Sequence, residues 1–392
     1  MQGLRPEIEL LLSCARTCPG PAASDRTREL LGYEIDWAYL LRMAERHGLI
    51  PLLYWNLSAT APELVPFPIR ERIHTLFLVN AARNLRLTGK LLRVLNLLEA
   101  NGILAIPFKG PVLASSLYGN LAFRTFSDLD ILVLKRDMVK SRDVLISSGF
   151  QWKPQLSPIQ KADYKEDYGC LTFTDKNGRD WIEIDGWLSS RELPWNFQLA
   201  YFAQRLTRVS LEGKMVPAFS PEDLLLILCL HGAKHYWSRL SWLCDIAELI
   251  RVYQRLDWGK VLTEADVRGG KRMLLLGLWL AHKLLEADLP NEVCSLIQGD
   301  YRVQFLGDSI IKKFLLHETP VGTFGLINFY LHLSENFKQR TAYLMRMVFT
   351  PTVEDMQDLP LPSPLSFLYY FAHPLRLLRK YGLDPGRVLS KV

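Results

Sequence analysis

The apolar residues of this chain change their spacing twice, and that change restricts the fold more than any other feature. From about residue 5 to 100 they recur every three or four positions, through Trp37, Leu40, Leu41, Met43 and Ala44 and again through Leu91, Leu92, Val94, Leu95, Leu97 and Leu98. That is the period of amphipathic helices. Proline-containing stretches at 18–22 and 61–68 punctuate them. At Gly102 the pattern gives way to short runs rich in β-branched and apolar residues at 103–108, 129–134, 171–174 and 181–184, which predict strands. Helices are expected between them over 111–118 and 136–148. At Ser220 a capping residue is followed by Pro221 and the acidic Glu222 and Asp223, a helix start, and helical spacing fills most of the remainder. The expectation is a mostly helical α+β protein: a helical region over 1–100, a small mixed-sheet core over 101–218, and a helical domain over 219–392.

Composition removes several classes. With 49% hydrophobic residues, 22% charged and 18 Phe, 15 Tyr and 10 Trp in 392 residues, the chain has the means to bury a large core and is not disordered. A net charge of +6 suits an anionic ligand without marking a dedicated nucleic-acid binder. The six cysteines are scattered, the usage of free thiols in a reducing compartment. Cys14 and Cys18 lie four apart with no second pair to complete a zinc tetrahedron. No apolar run reaches the roughly 18 to 20 residues of a membrane span, and Arg5, Glu7 and Glu9 break any signal-like start. A cytoplasmic location is expected. The stretch 365–383 mixes aromatics with Arg376, Arg379 and Lys380; it reads as an ordinary packed amphipathic helix, with a membrane surface or partner as the alternative.

The chemistry concentrates in Lys109-Gly110-Pro111, Leu117-Tyr118-Gly119, Arg124 and Asp128-Leu129-Asp130. Side chains alternate along a strand, so Asp128 and Asp130 share a face while Leu129 and Ile131 turn inward. An isolated Asp-x-Asp is most often a solvent-facing strand start. Here it stands among features that suit a phosphate: Gly110 lets backbone N–H groups approach one, and Lys109 and Arg124 supply charge. Paired carboxylates repel unless a cation joins them, and hard oxygen ligands suit Mg²⁺. His231, Lys234 and His235 follow at i, i+3 and i+4 on one helical face. Position 232 is Gly, not the Glu of a zinc-metalloprotease helix. The plain reading is that these residues pair with acids across the domain interface, such as Asp245.

The order strand, Lys-Gly, helix, Arg, Asp-x-Asp, apolar strand resembles the nucleotidyltransferase superfamily of DNA polymerase beta. The turn departs from that superfamily's usual Gly-Gly or Gly-Ser. It is similar instead to a branch of uncharacterised bacterial nucleotidyltransferases, through Lys109, Gly110, Leu117, Tyr118, Gly119, Arg124, Asp128, Asp130, His231, Lys234, His235, Trp242 and Asp245. The resemblance covers most of residues 30 to 255. It implies a third metal ligand on a later strand, for which Trp181-Ile-Glu-Ile-Asp185 offers Glu183 first and Asp185 second, the latter standing where the branch carries histidine.

The resulting expectation is an enzyme. Mg²⁺ (or Mn²⁺) is held by Asp128, Asp130 and Glu183 or Asp185. A nucleoside triphosphate, ATP foremost, lies against Lys109, Gly110, Arg124 and the His231-Lys234-His235 face. The acceptor hydroxyl belongs to an unidentified small molecule or peptide sooner than to nucleic acid. The rivals are a non-catalytic nucleotide-binding or regulatory module and a toxin-like transferase acting on tRNA or protein.

Overall fold

The computed structural model describes residues 4–153, 170–188, 193, 195–316, 322–359, 361 and 363–381. Five helices open the chain: α1 (Pro6–Ser13), α2 (Pro21–Leu31), α3 (Trp37–His47), α4 (Ile50–Thr60) and the 34-residue α5 (Phe67–Ala100). The mixed sheet follows, with β1 (Ala105–Pro107), α6 (Pro111–Ser116), β2 (Asp128–Val133), α7 (Met138–Ser147), β3 (Gln151–Trp152), β4 (Cys170–Thr174) and β5 (Trp181–Asp185). Its strand order is β1-β2-β5-β4-β3, and β2 runs parallel to β5 while the other pairs are antiparallel. A hairpin, β6 (Thr207–Leu211) and β7 (Lys214–Ala218), precedes the long helical remainder. That remainder runs through α8 (Pro221–Lys234), α9 (Leu240–Val252), α10 (Trp258–Val267), α11 (Lys271–Leu285), α12 (Asn291–Gly299), α13 (Tyr301–Leu316), α14 (Thr323–Leu333), α15 (Phe337–Phe349), α16 (Val353–Asp358) and α17 (Tyr369–Tyr381). The mostly helical α+β expectation holds.

The helix start at Ser220 takes the expected form, its Oγ accepting the N–H of Asp223 at 3.3 Å. The hairpin was not expected from periodicity. Its turn residues Glu212 and Gly213 both have positive φ, 50° and 80°, the backbone of a two-residue turn whose twist matches the flanking strands. Thr207, Val209 and Leu211 alternate before that turn, so the signal was present but short. Within the 365–383 stretch α17 runs from Tyr369 to Tyr381, after a short 3-10 helix over Ser363–Leu368, and the last two residues lie outside the described set.

Two apolar cores meet at the sheet. One face carries Leu129, Ile131, Val133, Leu171, Phe173, Ile182 and Ile184 into a core shared with the second half of α5 and with α7. The larger core joins α1, α3 and α4 to α8, α9, α11 and α13 and takes Leu132 and Ile106 from the sheet. Helix α5 spans both, contributing Ile73 to the larger core and Leu87, Leu91, Val94 and Leu98 to the other. Between them the opposite sheet face keeps its polar side chains. Among the described residues no helix is long and apolar enough to cross a membrane.

Candidate active site

Strand pairing assembles the site. Parallel pairing of β2 with β5 sets Asp130 beside Glu183, and antiparallel pairing of β4 with β5 sets Cys170 beside Asp185 and Thr172 beside Glu183. Residues in register project from the same face. One polar face therefore carries Asp128, Asp130, Glu183, Asp185 and Cys170, all partly or fully accessible to solvent. Cys170, Glu183 and Asp185 each bring a ligand atom within 4.8 Å of the others. The cysteine was read only as one scattered thiol, because no local pattern marks it; the β4–β5 register delivers it.

The electrostatics of this face are those of an acidic cluster short of counter-charge. Burial, then the neighbouring Asp130, push Asp128 above its ordinary value, with Lys109 working against them. Burial and then the charges of Asp130, Asp185 and Asp128 push Glu183 up to about 7. Asp185 is also raised, chiefly by burial, although a hydrogen bond from Cys170 and the charge of Lys234 oppose the shift. Four carboxylates face two lysines. Such a surplus of hard oxygen donors fits a divalent cation.

Lys109 stands at the end of β1 with its Nζ 3.0 Å from Asp130 Oδ1 and 4.6 Å from the centre of the Phe108 ring. Gly110 follows with φ +57° and ψ −123°, a conformation open to glycine and strained for any L-residue, and it leads directly into α6. A Cβ at Gly110 would stand 3.7 Å from the Asp128 carbonyl oxygen, so the turn passes beside the start of β2.

Arg124 requires a correction. It was expected to reach phosphate, but its guanidinium is buried and donates Nε and Nη2 to the two oxygens of Asp245 on α9, at 2.8 Å each. Tyr118 donates its hydroxyl to Asp245 Oδ1 at 2.7 Å. Asp245, offered as a partner for the α8 histidines, is the anchor of Arg124 instead. Its pairing fixes the loop before β2 against the helical domain. From the other side two buried α5 side chains hold the same loop. Asn80 Nδ2 donates to the Ala122 carbonyl at 2.9 Å, and Asn84 Nδ2 donates to those of Leu121 and Arg124 at 2.6 and 2.7 Å. Neither asparagine was marked by sequence reading, for a helical Asn facing a loop 40 residues away has no local signature.

His231, Lys234 and His235 come to the border of this face at the end of α8. The imidazoles stack edge-on at 4.6 Å, and Trp242 of α9 closes a three-ring cluster at 5.0 Å from His231 and 5.3 Å from His235. Burial first, then Lys234 and Lys109, lower His235 to about 4. Burial, then Lys109, take His231 well below its ordinary value.

A family model described as uncharacterised nucleotidyltransferase matches residues 33–286, which take in α3 to α11 and the whole of this site. No curated protein and no solved structure matches the chain.

Proposed function

Since the chain belongs to the uncharacterised nucleotidyltransferase family, we propose that it transfers a nucleoside monophosphate from a nucleoside triphosphate to an acceptor hydroxyl, using the carboxylates of β2 and β5. The observation that carries this reading is the register of Asp130 with Glu183 across parallel strands, with Asp128 two residues away on the same face. Three carboxylates from two adjacent strands, with Asp185 beside them, would hold Mg²⁺ or Mn²⁺. Bound there, the cation would neutralise the triphosphate and the charge that develops during displacement.

The remaining roles follow from position. Lys109, already 3.0 Å from Asp130, supplies positive charge to the phosphates, and the Gly110 turn lets backbone approach them. Lys234, whose charge is felt by Asp185, adds a second cation at the far edge. The acceptor oxygen attacks the α-phosphorus, the bond to the β-phosphate oxygen breaks, and pyrophosphate leaves with that electron pair. The hydroxyl proton passes to a carboxylate of the cluster, Glu183 or Asp185. Arg124 serves by fixing the strand approach through Asp245 and not by touching phosphate. ATP is the expected donor, and a small molecule or peptide the expected acceptor.

Metal binding tests this reading. Titration with Mn²⁺ followed by electron paramagnetic resonance is expected to show bound ion in the wild type and weakened binding in Asp130→Asn. Equal binding by both proteins would remove the carboxylate site from the proposal.

A further inference from the structure

The ring cluster at the end of α8 is built more rigidly than helix packing alone requires. Directly after His235 the chain places Tyr236 and Trp237 in the left-handed region, with φ of 55° and 51°. Two consecutive residues with a Cβ adopt that conformation only where their surroundings hold them. The surroundings do so. Trp237 is fully buried and donates its backbone N–H to the Gly232 carbonyl at 2.8 Å. Its ring lies so close to Gly232 that a Cβ there would come within 2.1 Å. Tyr330 of α14 donates its hydroxyl to the Lys234 carbonyl at 2.8 Å. The helix end that carries His231, Lys234 and His235 is therefore pinned from two sides.

Beside Lys234, this end presents three planar rings. Burial and the neighbouring lysines disfavour protonation of both histidines, so counter-charge for the phosphates falls to Lys109 and Lys234. A neutral imidazole offers one edge donor, one edge acceptor and an apolar face, and an indole offers a large face with a single N–H donor. Of the chemical groups in a nucleoside triphosphate, only the base matches: flat, uncharged, with donors and acceptors on its edge.

Resting on the triphosphate reading above, we propose that His231, His235 and Trp242 form the platform on which the donor's nucleobase lies, while Lys109 and Lys234 serve its phosphates. His235, the most exposed of the three rings, lies where an incoming base can meet it. Stacking of a base on one aromatic side chain contributes roughly one to two powers of ten in affinity.

Calorimetric titration of the full chain in Mg²⁺ separates the two halves of the ligand. The probes are the four ribonucleoside triphosphates and inorganic tripolyphosphate, and the proteins are wild type, His235→Ala and Trp242→Leu, each checked by its melting temperature. The expected result is a nucleotide affinity about ten- to a hundred-fold weaker in both variants, with tripolyphosphate binding unchanged. His235→Ala removes an exposed ring and serves should Trp242→Leu fold poorly. Nucleotide binding unaltered by His235→Ala, or equal loss of both probes from a folded variant, would overturn the platform. So would a wild type that holds a nucleotide no more tightly than tripolyphosphate, a result that leaves the phosphate site standing. Failure of the wild type to bind either probe would overturn the triphosphate reading itself, and the platform with it.

Discussion

At the scale of single residues, the site holds carboxylates together at a cost to the metal-free protein. Asp128 sits above its ordinary value through burial and the proximity of Asp130, so replacing it with a neutral isostere relieves repulsion. Asp128→Asn is expected to raise the melting temperature measured in chelator and to lower nucleotide transfer by on the order of a hundred-fold or more, the pattern of an active-site charge held against stability. A variant with a lowered melting temperature in chelator would show that Asp128 is a structural group. His47 gives a pH prediction of opposite logic. It is buried on α3, its Nδ1 accepts the Leu240 N–H at 3.3 Å, and burial followed by the charges of Arg46 and Arg239 lowers it from 6.5 to about 4. Between those values the unfolded chain binds a proton that the folded chain refuses, so stability falls as pH drops from 6.5 toward 4. Urea unfolding at pH 7 and pH 5 is expected to show this loss, and to show a smaller one in His47→Gln; identical pH dependence in the two proteins would contradict it. Much of this scale was legible in the sequence. Asp128 and Asp130 on one face follow from the period of a strand, as do Glu183 and Asp185. Cys170 was not legible, because its place beside Asp185 depends on which strand lies next to β5.

At the scale of elements, the question is what fixes β2 where its carboxylates meet those of β5. The loop before it is held by α5 through Asn80 and Asn84 and by α9 through Asp245. Removing one partner of a buried ion pair leaves the other charge uncompensated, so Asp245→Ala is expected to cost about 3 to 5 kcal/mol in chemical denaturation. Tyr118→Phe removes one hydrogen bond to the same carboxylate and is expected to cost about 1 kcal/mol. Equal effects for the two variants would mean that the Arg124–Asp245 pair is not the dominant link. Sequence reading placed Arg124, Tyr118 and Asp245 in one pattern but joined them wrongly. Asp245 lies 121 residues beyond Arg124, and only the docking of α9 on the core reveals that it answers the arginine and not the histidines. Position 232 shows the converse. Its glycine, which set the α8 face apart from a metalloprotease helix, is explained by Trp237, whose ring occupies the space a side chain would take.

At the scale of the whole molecule, the helical N-terminus and the helical C-terminal half share one core, although they read as separate regions along the chain. Helix α1 is buried along almost its whole length. The segment after it is tied to α9 by Thr17, whose N–H and hydroxyl donate to Glu248 at 3.1 and 2.8 Å. Arg16 meets Glu286 beyond α11 at 3.0 Å. The match to the family begins at residue 33, after α1 and α2. A chain trimmed to that point loses Ile8, Leu10, Leu11 and Leu12 and uncovers the surfaces they fill. It is expected to aggregate or to melt well below the full chain, as judged by size-exclusion chromatography and thermal unfolding. A trimmed chain as soluble and stable as the full one would show that α1 and α2 are accessory.

The central claim is that the carboxylate face of β2 and β5 moves a nucleotide, and transfer itself tests it most directly. The measurement incubates full-length wild type and Asp128→Asn with each α-³²P ribonucleoside triphosphate and Mg²⁺ or Mn²⁺ in an extract of the source cells, then follows where the label goes. The account predicts label on an acceptor, with pyrophosphate released, from the wild type alone. Equal labelling by both proteins would contradict it by moving the chemistry away from Asp128. No labelling by either, with every triphosphate and both metals, would contradict transfer as the activity of this face.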